Sequence, residues 1–361
     1  MARVVFALVA VGLIVWVISD HTGELEGASS YLTHIEWYWL LAAVIAEFGS
    51  IICFALVQQK LLEAGGYHNR LRWFTSVTLA NIAISNSLPT GSVIATIFTY
   101  RQYRRRGADE VLAGWSMVAL LVVTSLTLAI LAAAGVGIAG SESSSFDLVG
   151  VTIGVLFITI VVAGLFIQRR ALLWMLGKIS ALFAKALPRS RFKPDILFER
   201  MEARLSTVRM SPGQIVVTAG WGLFNWVFDC GCLVLSFAAL GVGVPWRGLL
   251  LAYGAGQLAA NLPITPGGLG VVEGSLVIAL VAYGGAETST VAAVFLYRLI
   301  SFWGELPFGW FAWGWLSRRK KGERPLSPKF LSDAEQGQEE PAGQAPTGGS
   351  GMADTTQVHA R

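Results

Sequence analysis

Charge is scarce in this chain. Of its 361 residues only 14% are Asp, Glu, Lys or Arg, against 54% hydrophobic, and the mean hydropathy of +0.59 is beyond what a soluble globular domain carries. Cysteine is scarce too. Cys53, Cys230 and Cys232 all lie in apolar windows, with no C-x-x-C and no histidine at ligand spacing. That excludes a disulfide framework and a zinc site, leaving the three thiols as core residues. No nucleophile or metal constellation stands out either, so no catalytic residue, metal or cofactor is expected and the chain does not read as an enzyme. A nucleic-acid partner is not expected.

What is present is apolar length. A membrane span needs ~20 apolar residues to cross ~30 Å of hydrocarbon, and six windows qualify: about 3–18, 37–58, 111–139, 148–167, 213–241 and 288–316. The first has a basic region of Arg3 alone and no small-x-small site after Ser19, which reads as a retained anchor rather than a cleaved signal. "WYW" at 37–39 and "WFAWGW" at 310–315 sit at span ends, the usual place of interfacial aromatic belts.

Basic residues orient the spans, because cytoplasmic loops collect Lys and Arg. The connection from Asp20 to Glu36 has neither, nor does "SESSSFD", so both are expected outside. Lys60, Arg70 and Arg72 mark the next connection as inside, and Arg101, Arg104, Arg105 and Arg106 mark the one after it as inside as well. The intervening apolar stretch, interrupted by "LPTG" at Leu88 to Gly91, therefore returns to its own side. Its arms of about 17 and 10 residues, about 25 and 15 Å as helix, are short for crossing. A re-entrant hairpin at 72–100 with Pro89, Thr90 and Gly91 at its tip is expected; two short, tilted crossings are the competing geometry.

The second half repeats this from the other side. "NLPITPGGLGVVEG", Asn261 to Gly274, breaks the segment 246–283, and the flanking "YGGAET" has no basic residue while the last span ends in "SRRKK". Interrupted segments at matching places in two oppositely oriented halves point to an inverted-repeat transporter with a midplane site. The expected fold is all-α and polytopic: about six full transmembrane helices plus two Pro/Gly-broken hairpins in an inverted repeat, both termini cytoplasmic. Its parts are a first membrane half at 1–168, a basic amphipathic segment at 169–211, a second membrane half at 212–317, and a disordered tail at 318–361.

Candidate site residues gather at the breaks. Pro263 and Pro266 remove backbone donors, while Gly267, Gly268 and Gly270 allow tight turns and close approach. The helix that follows offers a positive N-terminus to an anion such as phosphate; a tight turn needing these residues for shape alone is the other reading. Glu273 in its first turn either complements the helix dipole or belongs to the site. Intramembrane charges default to functional roles, and Glu47, Asp229, Arg298 and Glu305 all lie within spans. Arg298, Ser301 and Glu305 are spaced to share one helical face, so an ion pair from Arg298 to Glu273 or Asp229 is expected. Glu47 and Asp229, midway along the crossings before the two hairpins, are candidate repeat equivalents. Asn81, Asn86, Asn225, Gln257 and Asn261 add neutral polar groups around the hairpins. Residues 169–210 carry ten basic and three acidic residues, suited to an interfacial helix on anionic headgroups.

"LPITPGGLGVVEGSL", "SLPTGSVIATIFTYRQYRRRG" and "LYRLISFWGELPFG" resemble the hallmark motifs of the lysylphosphatidylglycerol synthase transmembrane, or flippase-like, family over roughly 1–316. The resemblance places Pro266, Gly267, Gly268, Gly270 and Glu273 on the family's second motif and Arg298 on its last-helix arginine. Val272 stands where that motif would carry a basic residue. It implies a membrane unit that moves a polar-headgroup lipid across the cytoplasmic membrane. The aminoacyltransferase module of two-module relatives has no counterpart in the segments read here, so a lysyltransferase label would describe the relatives. A homo-oligomer is possible in such a unit.

Overall fold

In a computed structural model of the chain, the described residues are 35–88, 91–139, 208, 210–260 and 266–318. They lie in one compact unit, Met1–Lys321. The expected spans at 3–18 and 148–167, the basic segment at 169–207, the tail at 319–361, and Pro89, Thr90 and Asn261 lie outside them.

Among the described residues all regular structure is helical. Helix α1 runs Trp37–Glu63, α2 Leu71–Ser87, α3 Gly91–Arg105 and α4 Glu110–Ala139. The second series is α5 at Pro212–Ala239, α6 at Trp246–Ala260, α7 at Val271–Ala282, α8 at Glu287–Arg298 and α9 at Glu305–Arg318. A π turn, Leu299–Trp303, splices α8 to α9, giving one continuous element of 32 residues. Four elements are long and apolar enough to cross a membrane: α1, α4, α5 and the α8–α9 unit. They coincide with the four expected spans inside the described region. The chain is a multi-pass membrane protein.

Helix boundaries follow local chemistry. Ser211 caps α5 through a capping box, its hydroxyl accepting from the Gln214 N–H while the Gln214 side chain accepts from the Ser211 N–H; Pro212 at the first helical position gives up no hydrogen bond. At the far end of α1, Lys60 pairs with Glu63 at 2.8 Å before Gly66, with φ +82°, turns the chain toward α2.

Helices α1 and α5 form a central antiparallel pair. The Glu36 N–H at the start of α1 donates to the Ala239 carbonyl at the end of α5, and near the middle Ser50 donates to Asn225 at 3.2 Å. The two broken segments are antiparallel helix pairs flanking this axis. In the first, Asn81 of α2 donates to Thr99 of α3 at 2.9 Å; in the second, Gly256 of α6 lies against Leu276 of α7.

Each hairpin is clasped by the closing helix of the other half. Helix α9 packs on α2 and α4 packs on α6. Both contacts depend on glycine: a Cβ at Gly309 would come within 2.4 Å of the Leu79 carbonyl oxygen, and one at Gly135 within 2.9 Å of the Leu251 nitrogen. Such close backbone approach is how membrane helices associate where lipid supplies no hydrophobic drive. Two apolar clusters follow the same division. One joins Trp73, Phe74, Tyr103 and Leu112 to Leu316 around the first hairpin; the other joins Leu128, Phe237, Tyr253, Leu276 and Tyr297 around the second. Cys53, Cys230 and Cys232 are buried.

Candidate functional site

The glycine-rich break between α6 and α7 ends in a short 3₁₀ turn, Pro266–Gly268. Gly267, Gly268 and Gly270 all have positive φ, at +60°, +71° and +81°, a region L side chains rarely enter. Gly267 is doubly constrained: a Cβ there would fall 2.3 Å from the Phe302 ring and 3.1 Å from Asn86 Oδ1. The tip of the second hairpin thus rests on Phe302, halfway along the α8–α9 unit, and against the end of α2. Gly91 plays the matching part at the first break, because a Cβ there would lie 2.3 Å from the Ser85 carbonyl oxygen.

Two charged side chains hold the second tip. Arg298 donates through Nε to Glu273 Oε1 at 2.6 Å and through an Nη to the Gly267 carbonyl at 3.2 Å, and its guanidinium lies over the Phe302 ring at 4.6 Å. The other oxygen of Glu273 accepts from the Gly270 N–H at 2.7 Å. Of the two pairings open to Arg298, the structure selects Glu273. The same geometry refines the expectation of an open, anion-receiving helix N-terminus: at Gly270 that place is taken by the protein's own carboxylate, as in a capping box.

A second polar cluster lies beside this clamp. Asp229 of α5 accepts from Tyr253 at 2.6 Å and Gln257 at 3.1 Å, both on α6, and from Tyr297 of α8 at 2.8 Å. Glu47 of α1 is buried against the Glu305 carboxyl of α9 and the Cys232 thiol of α5, with Asp229 in electrostatic range. Its Oε2 is sealed from solvent without a hydrogen-bond partner. Glu47 and Asp229 therefore meet at one cluster across the α1–α5 pair. No group of His, Cys, Asp and Glu among the described residues is arranged to hold a metal ion.

The shared face expected for Arg298, Ser301 and Glu305 is interrupted. The π turn, closed by the Gly304 N–H donating to the Leu299 carbonyl at 2.8 Å, spends an extra residue between Arg298 and Glu305. Arg298 points to the glycine tip while Glu305 meets Glu47.

Residues 3–309 match the family described as "Lysylphosphatidylglycerol synthase TM region". The chain belongs to this family. A curated relative, a "UPF0104 membrane protein" of Methanothermobacter thermautotrophicus, is 23% identical over 319 residues, covering 83% of this chain and 90% of the relative. The family match spans the clamp, the carboxyl cluster and both hairpins, consistent with a lipid-related membrane protein.

Tyr253, Tyr297 and the Glu47–Glu305 contact escape a reading of the sequence alone. A tyrosine within an apolar helix has the same local pattern as core packing, and its hydroxyl partner lies 24 residues away for Tyr253 and 68 for Tyr297. Gln257 carried the available signal, as an amide on an apolar helix.

Proposed function

We propose that this chain binds a polar-headgroup lipid near the bilayer midplane and carries it between leaflets by alternating access, without performing chemistry on it. The observation that carries the reading is the convergence of the second hairpin's clamped glycine tip, the end of α2 and a buried carboxyl cluster at mid-helix depth. Non-helical backbone at that depth is tolerated where it is buried in protein or lines a polar cavity, and charge there is rare outside pathways and sites.

Further support comes from the packing. The α4–α6 and α9–α2 contacts are related in the way an inverted repeat requires, and both glycine contacts recur. Arms of 15 and 17 residues in the first hairpin and of 15 and 12 in the second fall short of the ~20 residues of a full crossing. Re-entrant hairpins reaching the midplane from opposite sides fit those lengths, with the basic ends of α2 and α3 cytoplasmic.

The cluster also favours one headgroup class. Glu47, Asp229, Glu273 and Glu305 set four carboxyl groups against the guanidinium of Arg298, already held by Glu273. This acidic excess suits a cationic headgroup, such as an aminoacyl-phosphatidylglycerol, over a polyprenyl phosphate.

Reconstitution into liposomes of the cytoplasmic membrane's lipid classes tests the proposal. Purified full chain is expected to accelerate transbilayer movement of a fluorescent aminoacyl-phosphatidylglycerol, and Asp229→Asn to slow it. Movement at the protein-free rate for every cationic, zwitterionic and anionic lipid would leave a non-transporting lipid-binding or scaffold role.

A further inference from the structure

At the far end of α2 from the tip, the structure carries a second feature. Asn69, Arg70, Arg72, Trp73, Arg106 and Trp315 line a cleft of about 230 Å³. It is formed by the α1–α2 connection, the residue following α3, and the end of α9. About 20 Å of helix, at 1.5 Å per residue from Trp73 to Asn86, separates it from the glycine tip.

Four observations give this cleft its chemistry. Three guanidinium groups converge on it, and among the described residues no carboxylate pairs with Arg70 or Arg72, both exposed. Helix α2, 17 residues long, begins here with no side chain capping its N-terminus, so its first N–H groups and dipole add to the positive field. Arg106 lies over the Trp73 ring at 5.9 Å, fixing one cation on an aromatic platform. Trp73 itself is 3% exposed, and its indole N–H has no acceptor, an omission that is costly for a buried donor.

We propose that this cleft binds a phosphate group, presented by the headgroup of an anionic phospholipid. Arginine forks match phosphate oxygens in pairs, and basic pockets among the ends of transmembrane helices take acidic headgroups. The cleft is smaller than the roughly 300–1,000 Å³ of drug-sized pockets, sufficient for a headgroup whose acyl chains stay in the bilayer. Trp315, half-buried at the end of α9, places it at interfacial depth, where aromatic residues concentrate. This site stands apart from the translocation site in residues and in the sign of its charge, so it holds whether or not the chain moves lipid.

The test is native mass spectrometry of the full chain in detergent, titrated with phosphatidylglycerol, phosphatidylcholine or inorganic phosphate. Phosphatidylglycerol is expected to bind more tightly than phosphatidylcholine, to weaken roughly tenfold in the Arg70→Ala/Arg72→Ala variant, and to weaken by less in Arg70→Lys/Arg72→Lys, which keeps the charges and loses the paired forks. Both arginines are exposed, so monodisperse variants are expected, and Arg72→Glu alone provides a second reading of the same loss. Unchanged phosphatidylglycerol binding in the folded double-alanine variant overturns the site. Displacement of the lipid by inorganic phosphate at matching concentration overturns the lipid as occupant and assigns the cleft to a soluble phosphate.

Discussion

The two hairpins share a shape and differ in what closes them. The first is held by neutral groups: Tyr103 of α3 donates to Gln58 of α1, Gln58 to Thr78 of α2 at 2.8 Å, and Asn81 to Thr99. The second is held by an ion pair and a carboxyl group, with Arg298 bound to Glu273 and Asp229 collecting three donors. Neutral hydrogen bonds contribute about 0.5–1.5 kcal/mol each and are indifferent to a ligand's charge. A charge pair inside the membrane region is costly to break one-sidedly, and an entering ionic headgroup can compete for it. Under the proposed function, the first hairpin serves as frame and the second as the part that responds to a ligand.

The sharpest way to break that contrast is Arg298→Met, which leaves Glu273 without its partner. A loss on the order of 3 kcal/mol is expected, read as a large drop in the apparent melting temperature of the purified protein. Arg298→Met/Glu273→Gln should recover much of it. If the single variant melts like the parent, the charged closure is not what holds the tip.

Next come the two glycines at the breaks. Gly267→Ala forces a positive φ and a clash with Phe302, and about 2 kcal/mol is expected to be lost. Phe302→Leu in the same chain should return the steric part and leave the backbone part. Gly91→Ala offers no such rescue, because its obstacle is the Ser85 carbonyl rather than a side chain. Equal rescue of both would erase the distinction between the tips.

The smallest effect is expected in the neutral hairpin. Tyr103→Phe removes one bond and leaves Gln58 Oε1 short of a donor, about 1 kcal/mol, with lipid movement in proteoliposomes unchanged. A transport defect as large as that of Asp229→Asn would make the first hairpin part of the moving machinery.

How far the sequence showed this in advance follows from the range of each signal. Spans were legible because hydropathy is local and runs over ~20 residues, and the breaks because Pro and Gly act on their own backbone. The Arg298–Glu273 pair was legible as one of two options, since two charges in apolar surroundings must find partners. Its companions were not. Tyr103 sits among arginines at a helix end, where an aromatic has the pattern of an interfacial belt, yet it is 1% exposed. Glu305 was assigned to Arg298's face by counting residues, and that count assumes an unbroken α-helix. Nothing in "RLISFWGE" announces the π turn.

That turn changes how the last crossing should be compared with those of other chains. Residues before and after Leu299–Trp303 run in different phases, as if one letter had been inserted into a word and the spelling resumed beyond it. An alignment without a gap there would superpose Arg298 or Glu305 on its counterpart, but not both, in a relative whose helix is continuous. A single-residue deletion within Leu299–Trp303 is therefore expected to be silent in space: it would close the π turn into ordinary α-helix and leave Arg298 at the glycine tip and Glu305 against Glu47.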